Sequence, residues 1–328
     1  MATITAPGGS SVVVGNSNDN ITVYGPGTVK AGNGNDTVTV DGQGNVTVGR
    51  GNDSIHVTSS GTVVAGDGND TITIYDGSLK ADSGNDHITF WHNGNVTVGG
   101  GNDTITIYGD GTLKAGSGND DITIWGKADV TLGGGNDRVS TSLQTQITET
   151  SSSGHDTITL GYGEDTIHEA GSATVHGYFG SATIKGGELD LSNSGRTIDN
   201  VSGHATLAGS SSPSEFLGGS GSTVMKGGSG SDTFVGGSGH DTMSAIAGSS
   251  NNVFEFLSSE QGGNHVVQNF VSGDQLYVEG HSLSYLQSHH DISSHGGNTY
   301  ISIDGGKTTI ELKGVNSLAS SDITTHKP

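Results

Sequence analysis

Short apolar segments recur along the first half of the chain at intervals that mostly alternate between nine and eight residues. Their centres are Val29, Val38, Val46, Ile55, Val63, Ile72, Leu79, Ile88, Val96, Ile105, Leu113, Ile122, Val130 and Val139. Inside each segment apolar and polar residues alternate, as in Thr37-Val38-Thr39-Val40, which is the period-2 mark of a half-buried strand. Glycine clusters punctuate every strand end, where the chain must turn tightly. Two short strands per unit of about 17 residues, coil upon coil, predict an all-β fold: a parallel β-solenoid of the two-faced β-roll type. With strands stacked ~4.8 Å apart, eight coils would run roughly 35–40 Å.

A second periodicity lies in the charge. Asp19, Asp36, Asp53, Asp70, Asp86, Asp103, Asp120, Asp137 and Asp156 each close a short loop, at intervals of 17, 17, 17, 16, 17, 17, 17 and 19 residues. The text around them reads AGNGNDTVTV, AGDGNDTITI, VGGGNDTITI and AGSGNDDITI. Turn chemistry explains Asn, Asp and Gly in loops, but it does not require a carboxylate at the same place in every coil. There like charges stack, and they need cations between them. Calcium suits such a row, since it takes six to eight hard oxygens in flexible geometry, whereas magnesium demands a tight octahedron and keeps its waters.

Each loop would offer its carboxylate and the carbonyls that its glycines expose. The candidate ligands are therefore Gly32, Gly34 and Asp36; Gly49, Gly51 and Asp53; Gly66, Gly68 and Asp70; Gly84 and Asp86; Gly99, Gly101 and Asp103; Gly116, Gly118 and Asp120; and Gly133, Gly135 and Asp137, with Asp19 and Asp156 at the ends. Two consecutive loops would complete one site, so the eight loops from Asp19 to Asp137 would make up to seven. The opposite edge has Gly turns without the Asp, such as YGPGTVK, DGQGNVTV and YGDGTLK. A metal row is expected along one edge only.

The rhythm divides the chain. Residues 1–145 carry the regular repeats. Over 146–226 the Asp row thins, while Ile158, Ile167, Val175, Ile184, Leu191, Ile198, Leu207 and Val224 keep a looser beat. Asp156 and Asp165 are nine apart, which predicts opposite edges, and the stretch reads as a largely metal-free extension. Residues 227–250 hold two nonapeptides, GGSGSDTFV and GGSGHDTMS, adding Gly228, Gly230, Asp232, Gly237, Gly239 and Asp241 to the candidate ligands. From 251 to 328 the apolar segments lengthen, and TYISIDGGKTTIELKGV predicts a hairpin on an Asp-Gly-Gly turn. An open solenoid end invites aggregation, so this segment is expected to be the cap.

Composition sharpens the metal argument. Of 328 residues 58 are Gly and only 30% are hydrophobic, with no Cys and a formal charge of −22. That lies near the compositional border of disorder, so the metal-free chain is expected to be largely unfolded. Seven divalent ions, fourteen positive charges, would take the formal charge from −22 to −8. The acidity argues against nucleic acid and anionic membranes as partners. No apolar run approaches a membrane span, and Met-Ala-Thr-Ile-Thr-Ala-Pro-Gly-Gly is not expected to act as a signal peptide.

GGSGSDTFV and GGSGHDTMS match the nonapeptide GGxGxDxUx. On these residues the chain resembles the RTX family (repeats-in-toxin, with hemolysin-type calcium-binding repeats). The seventeen-residue units look like a variant with one consensus half and one degraded half. The resemblance implies a parallel β-roll with calcium bound between turns and bacterial secretion through a type I machinery. It further implies an uncleaved C-terminal signal and folding in external calcium. NFVSGDQLYV and ISIDGGKTTIELKGV are similar to the end regions of type I substrates, which makes 251–328 both cap and secretion signal. Ser17, in place of the second Gly of the first loop, and Asp82, in place of the first Gly of the loop ending at Asp86, depart from the pattern.

Other features bear on function. Tyr75, Trp91, Tyr108 and Trp125 fall five residues after an Asp in four consecutive coils. Such a ladder suits sugar rings, or it merely ties coils together. Thr22, Thr39, Thr73, Thr89, Thr106 and Thr123 form a column like the ice-contacting face of some solenoids, although Thr is simply a good exposed strand former. The tract SHHDISSH, with His289, His290, Asp291 and His295, lacks a second ligand cluster for a transition metal. No HExxH, GxSxG or Cys nucleophile is present, so an enzyme is not expected. The resulting expectation is a secreted, calcium-folded β-roll with a structural or adhesive role at the cell surface. The alternatives are a binder of extracellular polysaccharide through the aromatic ladder and a polysaccharide-active enzyme in the middle segment.

Overall fold

The computed structural model describes residues 1–151, 154–162, 164–168, 172–177, 181–185, 187–190, 198–199, 204–209 and 213–326. The chain folds as two units, Met1–Gly161 and Tyr162–Pro328.

In the first unit two parallel faces wind around one core. Strands Thr3–Pro7, Asn20–Tyr24, Thr37–Val40, His87–Phe90, Thr104–Ile107, Asp121–Ile124, Arg138–Thr141 and His155–Leu160 belong to one face. Ser10–Val13, Gly27–Lys30, Gly44–Thr47, Gly94–Thr97, Gly111–Lys114, Ala128–Leu132 and Thr145–Glu149 belong to the other. Strands Ser54–Val64 and Thr71–Lys80 run through the corner and serve both. The register follows the repeat, with Ile21 beside Val38, Val38 beside Ile55 and Ile105 beside Ile122. The parallel β-roll read from the sequence is the fold.

The period-2 alternation sends one set of side chains inward. Ile21, Val38, Ile55, Ile72, Ile88, Ile105 and Ile122 stack in one fully buried column, and Val29, Val46, Val63, Leu79, Val96 and Leu113 face them from the other side. β-branched residues suit this flat, half-buried pleat. The two irregular intervals are absorbed outside the strands. The missing residue between Asp70 and Asp86 falls at the second edge, where the pairing shifts between Val57 and Ser60. The two extra residues before Asp156 fall after Glu149, which still pairs with Leu132 at seventeen, whereas Arg138 pairs with Thr157.

The second unit continues parallel pairing, from Glu164–His168 against Ser181–Lys185 to Val253–Phe256 against Gln275–Val278. Val175, Ile184 and Ile198 lie in strands, as expected, and Leu191 lies outside the described residues. Phe216, Phe234 and Phe254 stack through the core, with ring centroids 5.1 and 4.9 Å apart. Toward the C-terminal end the pairing turns antiparallel. Ile292–His295 pairs with Asn298–Ile303, which pairs with Thr308–Leu312 across the Asp304-Gly305-Gly306 turn. Thr308–Leu312 also lies parallel to Asn264–Gln268 and so covers that edge. A seven-residue helix, Leu283–His289, was not anticipated; Ser282 caps it by accepting the Tyr285 N–H at 3.2 Å. No helix among the described residues is long and apolar enough to cross a membrane.

Candidate metal centre

The loop edge of the first unit is shaped by glycine. From the second loop on, the second Gly sits at positive φ: +129° at Gly34, +142° at Gly51, +138° at Gly68 and +143° at Gly118. An L side chain rarely adopts that backbone. The coils also approach too closely for one, since a Cβ on Gly118 would lie 1.7 Å from the Gly101 carbonyl oxygen. Backbone carbonyls are thereby aligned along the edge. Two residues later the alternation resumes and turns each Asp inward, in phase with the buried Ile of the following strand. Asp19 through Asp156 are all only 1–3% exposed.

The carboxylates form a ladder. The backbone N–H of Asp36 donates to Asp53 Oδ1 at 2.7 Å, that of Asp53 to Asp70 at 2.8 Å, and that of Asp70 to Asp86 at 2.9 Å. The ladder continues to Asp137 N–H on Asp156 Oδ1 at 2.8 Å. Each coil thus fixes the carboxylate of the next through one oxygen. The other oxygen, Oδ2, is buried without a hydrogen-bond partner at Asp36, Asp53, Asp70, Asp86, Asp120 and Asp156. A parallel ladder of exposed asparagines runs the opposite way: Asn35 N–H donates to Asn18 Oδ1 at 2.9 Å and Asn136 N–H to Asn119 Oδ1 at 2.7 Å. The Asn recurs in every GxGND loop, so its signal was present in the sequence, but its role as a clamp on the loop was not read from it.

Burial sets the protonation. Asp19, at the open end, is held low by the Ala2 N–H and the Ser17 hydroxyl. Desolvation pushes the interior members up, opposed by the N–H of the preceding Asp and, in most coils, aided by a neighbouring charge. Asp53 and Asp86 rise to about 6, and Asp70, Asp120 and Asp156 to about 7. Asp36, Asp103 and Asp137 are raised as well. A buried carboxylate with an unmatched oxygen has two remedies, a proton or a cation.

The donors fit calcium: one hard carboxylate oxygen per coil, adjoining stacked carbonyls, with no sulfur or imidazole in the row. Among the described residues no three acidic or histidine side chains converge on one point, so a cation held here would draw on one or two carboxylates and on backbone carbonyls. A proton competes for the same oxygens. The raised carboxyls have folded-state pKa values above the ordinary 3.8, so the metal-free fold is most stable below pH ~4. It loses stability as pH climbs through 6–7. In EDTA, acidification from pH 7 to pH 5 should therefore restore strand signal in far-UV circular dichroism. With calcium present it should raise the concentration needed for half-folding. A metal-free strand signal that grows with rising pH would contradict this.

The comparison with known families falls on these loops. The family model for the RTX calcium-binding nonapeptide repeat matches in four copies, over residues 58–73, 150–168 and 217–250. These segments contain Asp70, Asp156, Asp165, Asp232 and Asp241. The chain carries RTX calcium-binding nonapeptide repeats. They lie on a β-roll. No curated protein matches the chain.

The two RTX nonapeptides of the second unit are arranged differently from the ladder. Asp232 accepts the Ser214 N–H on Oδ1 at 2.9 Å and its own loop's Gly228 N–H on Oδ2 at 2.8 Å. Asp241 accepts from Thr223 and Gly237, and its Oδ2 lies 3.1 Å from Nδ1 of the buried His265. Calcium at either would have to displace protein partners, which makes them weaker candidates than the ladder. Their column continues beyond residue 250, where no nonapeptide signals it: Asp232 N–H donates to Asn252 Oδ1 and Asn252 N–H to Asp274 Oδ1, both at 2.9 Å. Spacings of 20 and 22 residues hid this continuation.

The aromatic ladder forms on the outside of the first unit. Trp91 and Tyr108 stack at 4.9 Å and 7°, Tyr108 and Trp125 at 6.4 Å and 6°, and Tyr75 tilts against His92 at 4.5 Å. The rings turn their faces to one another along the row. A sugar stacks on an open face, so this geometry fits a tie between coils better than a platform. In the histidine tract His289 stacks on Tyr285 and His295 on Tyr300, and the ring nitrogens gather no common ligand point among the described residues.

Proposed function

We propose that this RTX-repeat protein leaves the bacterial cell unfolded through a type I secretion machinery. It then folds on external calcium and serves a structural or adhesive role at or outside the cell surface. The observation that carries the reading is the ladder of buried aspartates, each with one oxygen fixed by the neighbouring coil and, in six of them, the other unmatched. Such a ladder is destabilising without metal and cohesive with it. Sites of roughly 10⁻⁴–10⁻³ M affinity stay empty at cytosolic calcium and fill at extracellular levels. The binding free energy then becomes folding free energy. Up to seven ions between Asp19 and Asp137 would join successive coils into a stiff rod-like array, which suits a scaffold more than a catalyst.

Secretion is tested in a Gram-negative host carrying a type I exporter. The full chain should accumulate in the medium, and a chain lacking residues 251–328 should remain in the cells. Equal export of both would remove the C-terminal signal from the account.

A further inference from the structure

The face of the first unit that opens with Ser10–Val13 differs from the rest of the molecule in charge. From there through Gly111–Lys114 its strand segments carry Lys30, Lys80 and Lys114 and, among these described residues, no acid; the first is Asp129, one coil later. Three of the six lysines and arginines in Met1–Gly161 are thus gathered on one face of a chain with formal charge −22. The register puts Lys30, Thr47, Val64, Lys80, Thr97 and Lys114 in one outward column. A second outward column, Thr62, Ser78, Asn95 and Thr112, runs beside it. Between the two columns a groove of about 330 Å³ crosses four coils, floored by Val63, Leu79 and Val96, whose side chains turn inward.

We propose that this groove docks an extended acidic polysaccharide, a β-1,4-linked uronate chain, with Lys80 and Lys114 on its carboxylates. The inference rests on the adhesive reading above and names the partner. Lys80 and Lys114 stand two coils apart, which is ~9.6 Å along the groove. A sugar ring in an extended chain advances by about one coil spacing, and a two-fold chain turns the same side down at every second sugar. Carboxylates on alternate sugars therefore meet the two lysines in step. Thr62, Ser78, Asn95 and Thr112 repeat once per coil along the groove, and their hydroxyl and amide groups exchange hydrogen bonds with sugar hydroxyls. Nucleic acid is the rival polyanion, but no aromatic ring or arginine lines the groove to stack its bases. Lys80 already holds one carboxylate: its Nζ lies 2.5 Å from Asp82 Oδ1, and both side chains are about half exposed. A uronate would compete with Asp82 for that lysine.

The test is fluorescence-anisotropy binding of the full chain, in calcium, to a labelled cellouronate hexamer, with cellohexaose as the uncharged chain of the same backbone. The uronate should bind at least about tenfold more tightly than cellohexaose, and its binding should weaken as salt rises. Lys80→Gln combined with Lys114→Gln should weaken it roughly tenfold. Lys127→Gln combined with Arg138→Gln removes the same charge outside the groove and should change little. Asp82→Asn should tighten binding by about twofold or more, because it releases Lys80. All these side chains are exposed, so the calcium-saturated circular dichroism spectrum should not change. Equal binding of the two hexamers, or of the wild type and the Lys80/Lys114 variant, would overturn the proposal. Loss confined to Trp91→Ala with Trp125→Ala would move the glycan to the aromatic ladder, and tighter binding of a single-stranded oligonucleotide would overturn the choice of glycan. A folded chain that ignores the uronate would overturn the groove and leave a structural role standing. A chain that neither folds in calcium nor binds would overturn the calcium reading with it.

Discussion

In EDTA at pH 7 the first unit is expected to lose its strand structure, and the loss should be concentrated in residues 1–161. Asp53, Asp70, Asp86, Asp120 and Asp156 carry pKa values raised from 3.8 to about 6 or 7. A shift of two to three units opposes the ionised fold by roughly 3–4 kcal/mol at each group. The groups are coupled, so the penalties do not simply add. Even so, five of them rival the 5–15 kcal/mol that holds an ordinary domain together. The core cannot offset this, since each coil contributes only a few small side chains. In the second unit Asp232 and Asp241 have protein donors on both oxygens. Its backbone amides should stay protected when those of the first unit exchange. Hydrogen exchange with calcium, with EDTA and with magnesium checks this. Magnesium at equal concentration should not restore protection. Equal protection of the first unit in EDTA and in calcium would refute the expectation.

Replacing Gly118 by Ala should be among the most damaging single substitutions in the calcium-loaded protein. Two costs combine. Ala must adopt φ +143°, and its Cβ would lie 1.7 Å from the Gly101 carbonyl oxygen. That atom is backbone in the neighbouring coil, so it cannot swing away without opening the ladder and moving carbonyls that calcium would use. Strain of 1–3 kcal/mol for the dihedral plus 1–3 for the overlap gives roughly 3–5 kcal/mol. For a unit of this size that corresponds to about 10 °C or more in Tm. Gly9→Ala separates the two terms. Gly9 also has positive φ, at +81°, but nothing lies within 4 Å of its Cβ position, so it should cost only about 1–2 kcal/mol. Thermal melts at saturating calcium compare the pair. Equal losses would mean that the close stacking of loops carries no energy.

The fold was legible because three signals agreed: alternation within strands, glycine at every corner and a period near seventeen. Even the deviant intervals of 16 and 19 were harmless, since the pairing at Val57/Ser60 and the loop after Glu149 took up the difference. The carboxylate row was legible for the same reason, because an Asp repeated at one phase of a strand must stack. What escaped lies where the period lapses. His265 Nδ1 stands 3.1 Å from Asp241 Oδ2 although it lies 24 positions further along the chain, a spacing that no repeat announces. Asn252 and Asp274 continue a column through loops of unequal length. Glu149 keeps the period but reads as an ordinary polar residue until the register shows that it points into the core. The short helix Leu283–His289 draws on a Ser cap and local contacts rather than on any long amphipathic pattern.

On the proposed reading cations, not protons, match the buried Oδ2 atoms of the aspartate ladder. Anomalous diffraction from crystals grown at millimolar calcium tests it most directly. A line of calcium peaks is expected along the Asp19–Asp156 edge, one between each pair of successive loops and each within ~2.3–2.6 Å of an aspartate oxygen and glycine carbonyls. An edge without peaks, with each Oδ2 hydrogen-bonded as a neutral carboxyl, would show that the solenoid folds on protons and its core alone.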